Sequence, residues 1–383
     1  MIKRLLLLSL LSLSLFADFD YRVENTNFTI SQGSVNPQND TTYLYNYDRL
    51  RFRGDYTNEN YFATIIADGV NYLGEEYTAS NDFQFLKLIK SDTPFKTQTA
   101  FHDYNIGSAY AKIYRLYGGY EDSQNRVVVG LQNISMGVGR IWTPTNLFNP
   151  KNIYAIEPDE TFGVAAISYT RYLSETSHLM VIASQKEDDS FKYAARYNTF
   201  LDFTDLAIDV VSSDETTMIG VELEANLADT GVEVRSEIAY IKNSMNTTLN
   251  SIENIEFIQA IVGADYGFEN GITVIAEALY SSENFTYQEI LLNYDSEILP
   301  NLVYSKFYTA LSLSYSFNIF LDGSIIYIES FNDKNSRFVS PTLTYTLNDY
   351  NSFMLGAMIQ DGSKESEFGE FKNTYYFKWL LSF

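Results

Sequence analysis

Three arginines at alternate positions, Arg49, Arg51 and Arg53, are the strongest chemical feature of this 383-residue chain. Side chains of an extended segment alternate between its two faces. The three guanidinium groups therefore share one face, and Leu50 and Phe52 share the other. Like charges so close repel one another, so the row reads as a contact for an anionic group. A second segment repeats the arrangement, with Lys192 and Arg196 on one face and Phe191, Tyr193, Ala195 and Tyr197 on the other. The opposite sign follows: Glu222 and Glu224, then Glu233 and Glu237 around Arg235, then Glu277. Arg235 between two glutamates reads as an internal salt bridge. Lys112 and Arg115 are three residues apart, fall on opposite faces of any regular strand, and leave their segment unoriented.

Other chemistries find little support. The chain has no cysteine and only two histidines, His102 and His178, neither with an evident acid partner. Transition-metal sites and nucleophile–histidine catalysis are therefore not expected. The run Glu187-Asp188-Asp189 reads as solvated loop charge. The expectation is a protein without metal or cofactor that is not an enzyme.

The elements that must position these charges are almost all strands. Candidates run over 19–31, 43–57, 60–70, 107–121, 125–135, 161–173, 176–186, 189–200, 203–213, 215–227, 230–243, 253–268, 271–285, 302–317, 319–331, 336–348, 351–362 and 370–383. Soluble sheets use strands of about five or six residues, whereas a tilted membrane strand needs about nine to eleven. Most candidates match the longer class. Many carry an unbroken apolar face, such as Ile219, Val221, Leu223, Ala225 and Leu227, or Ile272, Val274, Ala276, Ala278 and Tyr280. Long connections (32–42, 71–106, 136–160, 244–252, 286–301 and 363–369) fall only on odd numbers, while even ones such as Asn58-Glu59 and Asp349-Tyr350 are tight. Membrane barrels show this asymmetry, with short turns on one rim and long loops on the other. If apolar faces meet hydrocarbon, the arginine row and the glutamates face the lumen from opposite walls.

The chain opens MIKRLLLLSLLSLSLFA: Lys3 and Arg4, an apolar core from Leu5 to Phe16, then the small Ala17. The core is too short to span a membrane, so residues 1–17 read as a secretory signal peptide cleaved near Ala17. The formal net charge is −23; without the leader, 24 bases against 49 acids leave −25. A chain this acidic is not expected to bind nucleic acid. The chain closes EFKNTYYFKWLLSF, with Phe371, Tyr375, Phe377, Trp379, Leu381 and Phe383 in alternation. A carboxyl-terminal strand ending in Phe resembles the assembly signal of Gram-negative outer-membrane barrels, which implies recognition by their assembly machinery.

Residues 136–160 carry three prolines and no strand pattern, so they read as a stiff irregular loop. Arg140, Trp142, Asn146 and Asn149 are its candidate functional residues. The segment Gly139-Arg140-Ile141-Trp142-Thr143-Pro144-Thr145-Asn146-Leu147-Phe148-Asn149-Pro150 resembles one that follows an early strand in a poorly characterised group of porin-like outer-membrane barrels. That group has a tryptophan where Met136 stands here.

The sequence thus predicts an all-β protein: a transmembrane antiparallel barrel of about eighteen strands (sixteen is the other even count considered) over 18–383, with an infolded loop. Long outer loops are expected at 71–106, 136–160 and 286–301. The expected function is an outer-membrane channel for passive diffusion of small hydrophilic, including anionic, solutes. A substrate-specific porin or exporter for anionic sugars or oligosaccharides is the second reading. A non-transport adhesin or structural barrel, working through loop 71–106, is the third. The expected surroundings are outer-membrane lipid and lipopolysaccharide, and a homotrimer is an open arrangement.

Overall fold

The computed structural model describes residues 18–36, 39–249, 251–332 and 334–383; the expected leader lies outside the described residues. Eighteen strands form one closed wall. They are β1 (Asp18–Gly33), β2 (Thr42–Asn58), β3 (Tyr61–Leu73), β4 (Gly107–Glu121), β5 (Asn125–Gln132), β6 (Val164–Tyr172), β7 (Ser177–Gln185), β8 (Phe191–Leu201) and β9 (Thr204–Ser212). The wall continues with β10 (Thr216–Asn226), β11 (Glu233–Thr248), β12 (Ser251–Gly267), β13 (Ile272–Ser281), β14 (Phe307–Asn318), β15 (Leu321–Phe331), β16 (Ser336–Asn348), β17 (Asn351–Gly362) and β18 (Thr374–Ser382). Each pairs antiparallel with the next, and β1 pairs with β18 from Glu24↔Ser382 to Gln32↔Thr374, which closes the ring. Phe383 finishes the seam: its N–H donates to Val23 O (3.0 Å) and its carbonyl accepts from Val23 N–H (2.8 Å).

Alternation sorts the two faces as the sequence predicts. Leu50, Tyr193, Ile219 and Phe377 stand exposed on the outside, while their neighbours Arg49, Lys192, Met218 and Tyr376 are buried toward the lumen. Short turns such as Glu59-Asn60 and Asp349-Tyr350 lie on one rim. Residues 74–106, 133–163, 282–306 and 363–373 make the long connections on the other.

Several boundaries differ from expectation. The connection at 244–252 is a tight hairpin, because β11 runs to Thr248 and pairs it with Ser251. The strand expected at 302–317 begins only at Phe307. Phe371 leaves the closing ladder and packs its ring on Tyr287 (centroids 5.8 Å apart) in a loop. Loop 74–106 holds two short helices, Glu75–Thr78 and Asn81–Leu86, the second capped by Ser80 Oγ accepting from Phe83 N–H (3.2 Å). Loop 282–306 holds a third, Tyr287–Leu292, with a capping box between Thr286 and Glu289.

A further three-residue strand, His102–Tyr104, pairs with the start of β4. β5 pairs with β4 only over Leu116–Glu121 before the chain turns into the lumen. The vacated edge of β4 is taken by the returning loop: Thr99 N–H donates to Ala111 O (2.9 Å), and Ile113 N–H to Thr97 O (2.8 Å). The wall thus keeps its ladder where a strand deserts it.

Deleting Phe383 removes both terminal closure bonds, each worth about 0.5–1.5 kcal/mol net. The refolded barrel is expected to unfold at lower urea concentration, as followed by tryptophan fluorescence in phospholipid vesicles; an unchanged midpoint would show that the seam does not need its last rung.

Candidate functional site: a loop folded against the inner wall

The chain leaves the wall after Gln132 and crosses the lumen until Val164. Backbone donors in such a segment need acceptors, since an unpaired buried N–H costs as much as a lost hydrogen bond. Wall glutamates supply them. Glu237 accepts from the N–H groups of Val138 (2.6 Å), Gly139 (2.6 Å) and Thr145 (3.3 Å). Glu277 accepts from Arg140 (2.9 Å), Ile141 (3.2 Å) and Trp142 (2.8 Å). Glu222 accepts from Gly137 N–H (2.8 Å), and the Thr145 hydroxyl lies 2.8 Å from Glu222 and 3.0 Å from Glu237. Gly137 takes φ +90°, and a Cβ there would stand 2.8 Å from Glu237 Oε1, so glycine lets the loop press onto the carboxylate.

This corrects the expectation that Glu222, Glu237 and Glu277 line an open pore. They point inward, but the loop covers them, and none is more than 3% exposed. Glu224 and Glu233 do remain partly exposed, bound to the half-exposed Arg140 side chain at 3.3 and 2.7 Å. Arg235 is buried between Glu233 (3.0 Å) and Asp265, an internal bridge.

Within the loop, the candidates Asn146 and Asn149 are buried fasteners. Asn149 Oδ1 accepts from Ile134 N–H (2.6 Å), its amide donates to Phe162 O, and its N–H donates to Asn146 Oδ1 (3.1 Å). Trp142 rests on Tyr308, ring centroids 5.8 Å apart. Met136 is buried with Leu147, Phe148 and Met218.

The descending part of the loop meets the arginine row. Glu157 takes both terminal nitrogens of Arg49 (2.9 and 3.2 Å) and also pairs with Lys378 (3.0 Å). Arg51 is held twice, by Asp68 through Nε (2.7 Å) and by Glu160 through Nη1 (2.8 Å). Arg53 pairs with Asp55 (2.5 Å) and keeps its side chain 49% exposed. The row is therefore relieved by carboxylates, and Arg49, at 5% exposure, is withdrawn from solute. Burial raises the Glu160 carboxyl, but the Arg51 hydrogen bond and the Arg49, Arg51 and Lys112 charges outweigh it and hold the group at about 2. On the far side, Lys192 donates to Leu147 O (2.9 Å) and pairs with Glu297 of loop 282–306 (3.0 Å). Arg196 pairs with Asp209 (2.9 Å) and Glu222 (2.6 Å).

Two partners escaped the sequence reading, Glu157 and Glu160, and two more, Lys112 and Arg115, could not be oriented by it. The wall register shifts between Ile66↔Arg115 and Ala67↔Ile113, leaving Tyr114 as a bulge. The bulge puts Lys112 and Arg115 on the same inner face despite their odd spacing. Lys112 approaches Asp68 at 3.7 Å, and Arg115 donates to Thr161 O (3.0 Å). The Tyr114 ring carries Arg51 and Arg115 at 4.1 and 4.0 Å from its centroid. The unresolvable parity of 112 and 115 was itself the signal of the bulge.

A closed antiparallel barrel of eighteen long strands, apolar outside, with a loop folded into its lumen, has the architecture of an outer-membrane porin. No protein-family profile matches the chain, and none of the curated proteins does. Among solved structures it is similar to OccAB1 of Acinetobacter baumannii (TM-score 0.61, 12% identity, 96% of each chain). It is also similar to a BenF-like porin from Pseudomonas fluorescens Pf-5 (0.58, 12%, 96% of this chain and 98% of that one). The outer membrane protein OpdK of Pseudomonas aeruginosa aligns with TM-score 0.57 at 10% identity, over 96% of this chain and 99% of that one. At these identities the likeness is one of fold.

Replacing Glu277 by Ala strips three adjacent N–H groups of their acceptor, at about 1–3 kcal/mol for each buried group left unpaired. The loop is expected to loosen there, with Trp142 oxidised faster in hydroxyl-radical footprinting than in the unaltered protein. Equal oxidation rates would show that Glu277 does not hold the loop.

Proposed function

We propose that the chain is an outer-membrane channel through which small hydrophilic solutes, anions by preference, diffuse passively. One observation carries the reading. Where the loop meets the wall, six cationic groups (Arg49, Arg51, Arg53, Lys112, Arg115, Lys378) surround four carboxylates (Asp55, Asp68, Glu157, Glu160), a local surplus of two positive charges. That surplus, in a chain whose overall charge is −23, attracts anions to the narrow zone. Within the arginine row and the infolded loop, Arg53 and Arg140 are the guanidinium groups with exposure enough to touch solute, and the buried members hold the loop that narrows the lumen. OpdK, one of the barrels of this fold, has been crystallised with vanillate, a carboxylate. Anionic sugars remain the second solute class the wall suits. Lipopolysaccharide would surround the outer rim.

In planar bilayers the protein is expected to give open steps with anion preference. Arg53→Ser, which keeps the Arg49–Glu157 and Arg51–Glu160 pairs, should move the reversal potential in a salt gradient toward cations by several millivolts. A silent barrel would overturn the reading in favour of the adhesin, and an unmoved potential would remove Arg53 from the path.

The leader over 1–17 would direct export. The carboxyl-terminal strand ending at Phe383 would be read by the barrel-assembly machinery, so that deleting Phe383 depletes assembled protein in cells more severely than it destabilises the refolded barrel. A homotrimer is the proposed assembly, supported by a polar patch on the outer face. Asn25 and Asn27 both donate to Asp48 Oδ1 (3.0 Å each), and Asn27 and Asn46 exchange amide hydrogen bonds (3.1 and 2.8 Å). Apolar Leu44 and Leu50 flank the patch on its own strand and are exposed on the same outward face. A carboxylate in that band is costly against lipid. Asp48→Leu should shift the particle from trimer to monomer mass in light scattering from detergent solution; a wild type of monomer mass would refute the trimer.

A further inference from the structure

Beyond the channel's narrow zone, the outer mouth holds a cavity of about 440 Å³ where three loops converge. Its walls come from loop 133–163 (Tyr154), loop 282–306 (Tyr287, Tyr304) and loop 363–373 (Phe368, Phe371), with Phe338 of β16 beneath. Tyr154, Phe338 and Phe368 form a mutually packed triad, with ring centroids 5.2, 5.5 and 5.9 Å apart. This is the size and lining of a small-molecule site.

Three carboxylates join the rings: Glu365, Glu367 and Glu370. Lys334 pairs with Glu365, and Glu370 accepts the Glu365 N–H (2.8 Å). Glu367 is different. Its Oε2 is fully buried and finds no hydrogen-bond partner among the described residues. Burial drives this carboxyl up to about 7. A buried carboxylate oxygen without a donor is costly, and an incoming ammonium would restore its ionised form. Aromatic faces attract the same charge, most strongly where water is excluded.

We propose that this cavity binds a monovalent organic cation with a small apolar body, its ammonium against Glu367 and its body among the Tyr154, Phe338 and Phe368 rings. The occupant touches all three outer loops and so pins the mouth of the barrel in one arrangement. The site is independent of the anion-attracting zone, whose charges lie on other residues.

The test is isothermal titration of the detergent-folded full chain with benzylammonium, with benzyl alcohol and benzoate as probes of matching shape. Benzylammonium is expected to bind one to one, at least tenfold tighter than either other probe, and E367Q should lose at least tenfold of that affinity. E367Q without probe should keep the wild-type reversal potential, so failure of the cation site and failure of the anion channel are read separately. Equal binding of benzylammonium and benzyl alcohol, binding unaffected by E367Q, or no binding of any probe would each overturn the proposal. The comparison among probes on the unaltered protein stands even if E367Q does not fold.

Discussion

A backbone N–H withdrawn from water must meet an acceptor, and two different answers to that demand make this molecule. In the wall the answer is closure: each strand serves the next, and the seam between β1 and β18 leaves no edge. In the lumen the answer is carboxylate. Residues 137–145 make no ladder, yet seven of their N–H groups end on Glu222, Glu237 and Glu277. A carboxylate has about four lone-pair sites and accepts several such bonds at once, which a neutral side chain of that size does less well. The acidic wall is a template for the loop before it is anything else.

The charges at the other end of the loop follow from the first anchorage. Once residues 137–145 are fixed on one wall, the chain must return to β6 past the arginine row, and Glu157 and Glu160 arrive where the guanidinium groups stand. Each partner explains the other. Three arginines in a row would repel and spread; two partly buried glutamates would be costly alone. Together they fasten the loop's second end, and the leftover positive charge faces the lumen. In the proposed channel, loop fastening and solute preference would rest on the same side chains, which is why the least buried member, Arg53, separates the two roles best.

Much of this was legible in the residues. Period-two alternation over long stretches gave eighteen strands with the right neighbours, because hydrocarbon-facing positions tolerate little charge and so write a clean pattern. Loop parity came through because one rim carries turns of a few residues. What stayed hidden depends on contacts distant in sequence. The signs of the inner charges could be read, but their counter-ions in loop 136–160 could not, since Glu157 lies 108 residues from Arg49. The Tyr114 bulge inverted the parity of one strand. Asn146 and Asn149 could be singled out as candidates but not given a role, because their use, capping donors and acceptors within the loop itself, leaves no periodic trace.

The loops at the mouth are tied by side-chain donors instead. Glu297 of loop 282–306 enters the lumen and is met by Lys186 (3.2 Å), Lys192 (3.0 Å) and the Ser213 hydroxyl (2.7 Å). Asn301 then ties that loop to loop 133–163 by donating to Pro144 O (3.0 Å). Lys192, which also donates to Leu147 O, therefore serves two loops at once. The inward cations of β8 are thus occupied as fasteners, Lys192 by the loops and Arg196 by Asp209 and Glu222, while the surplus cations gather on β2, β4 and β18. Polarity across the lumen arises from which wall spends its charges on the loops and which keeps some in reserve.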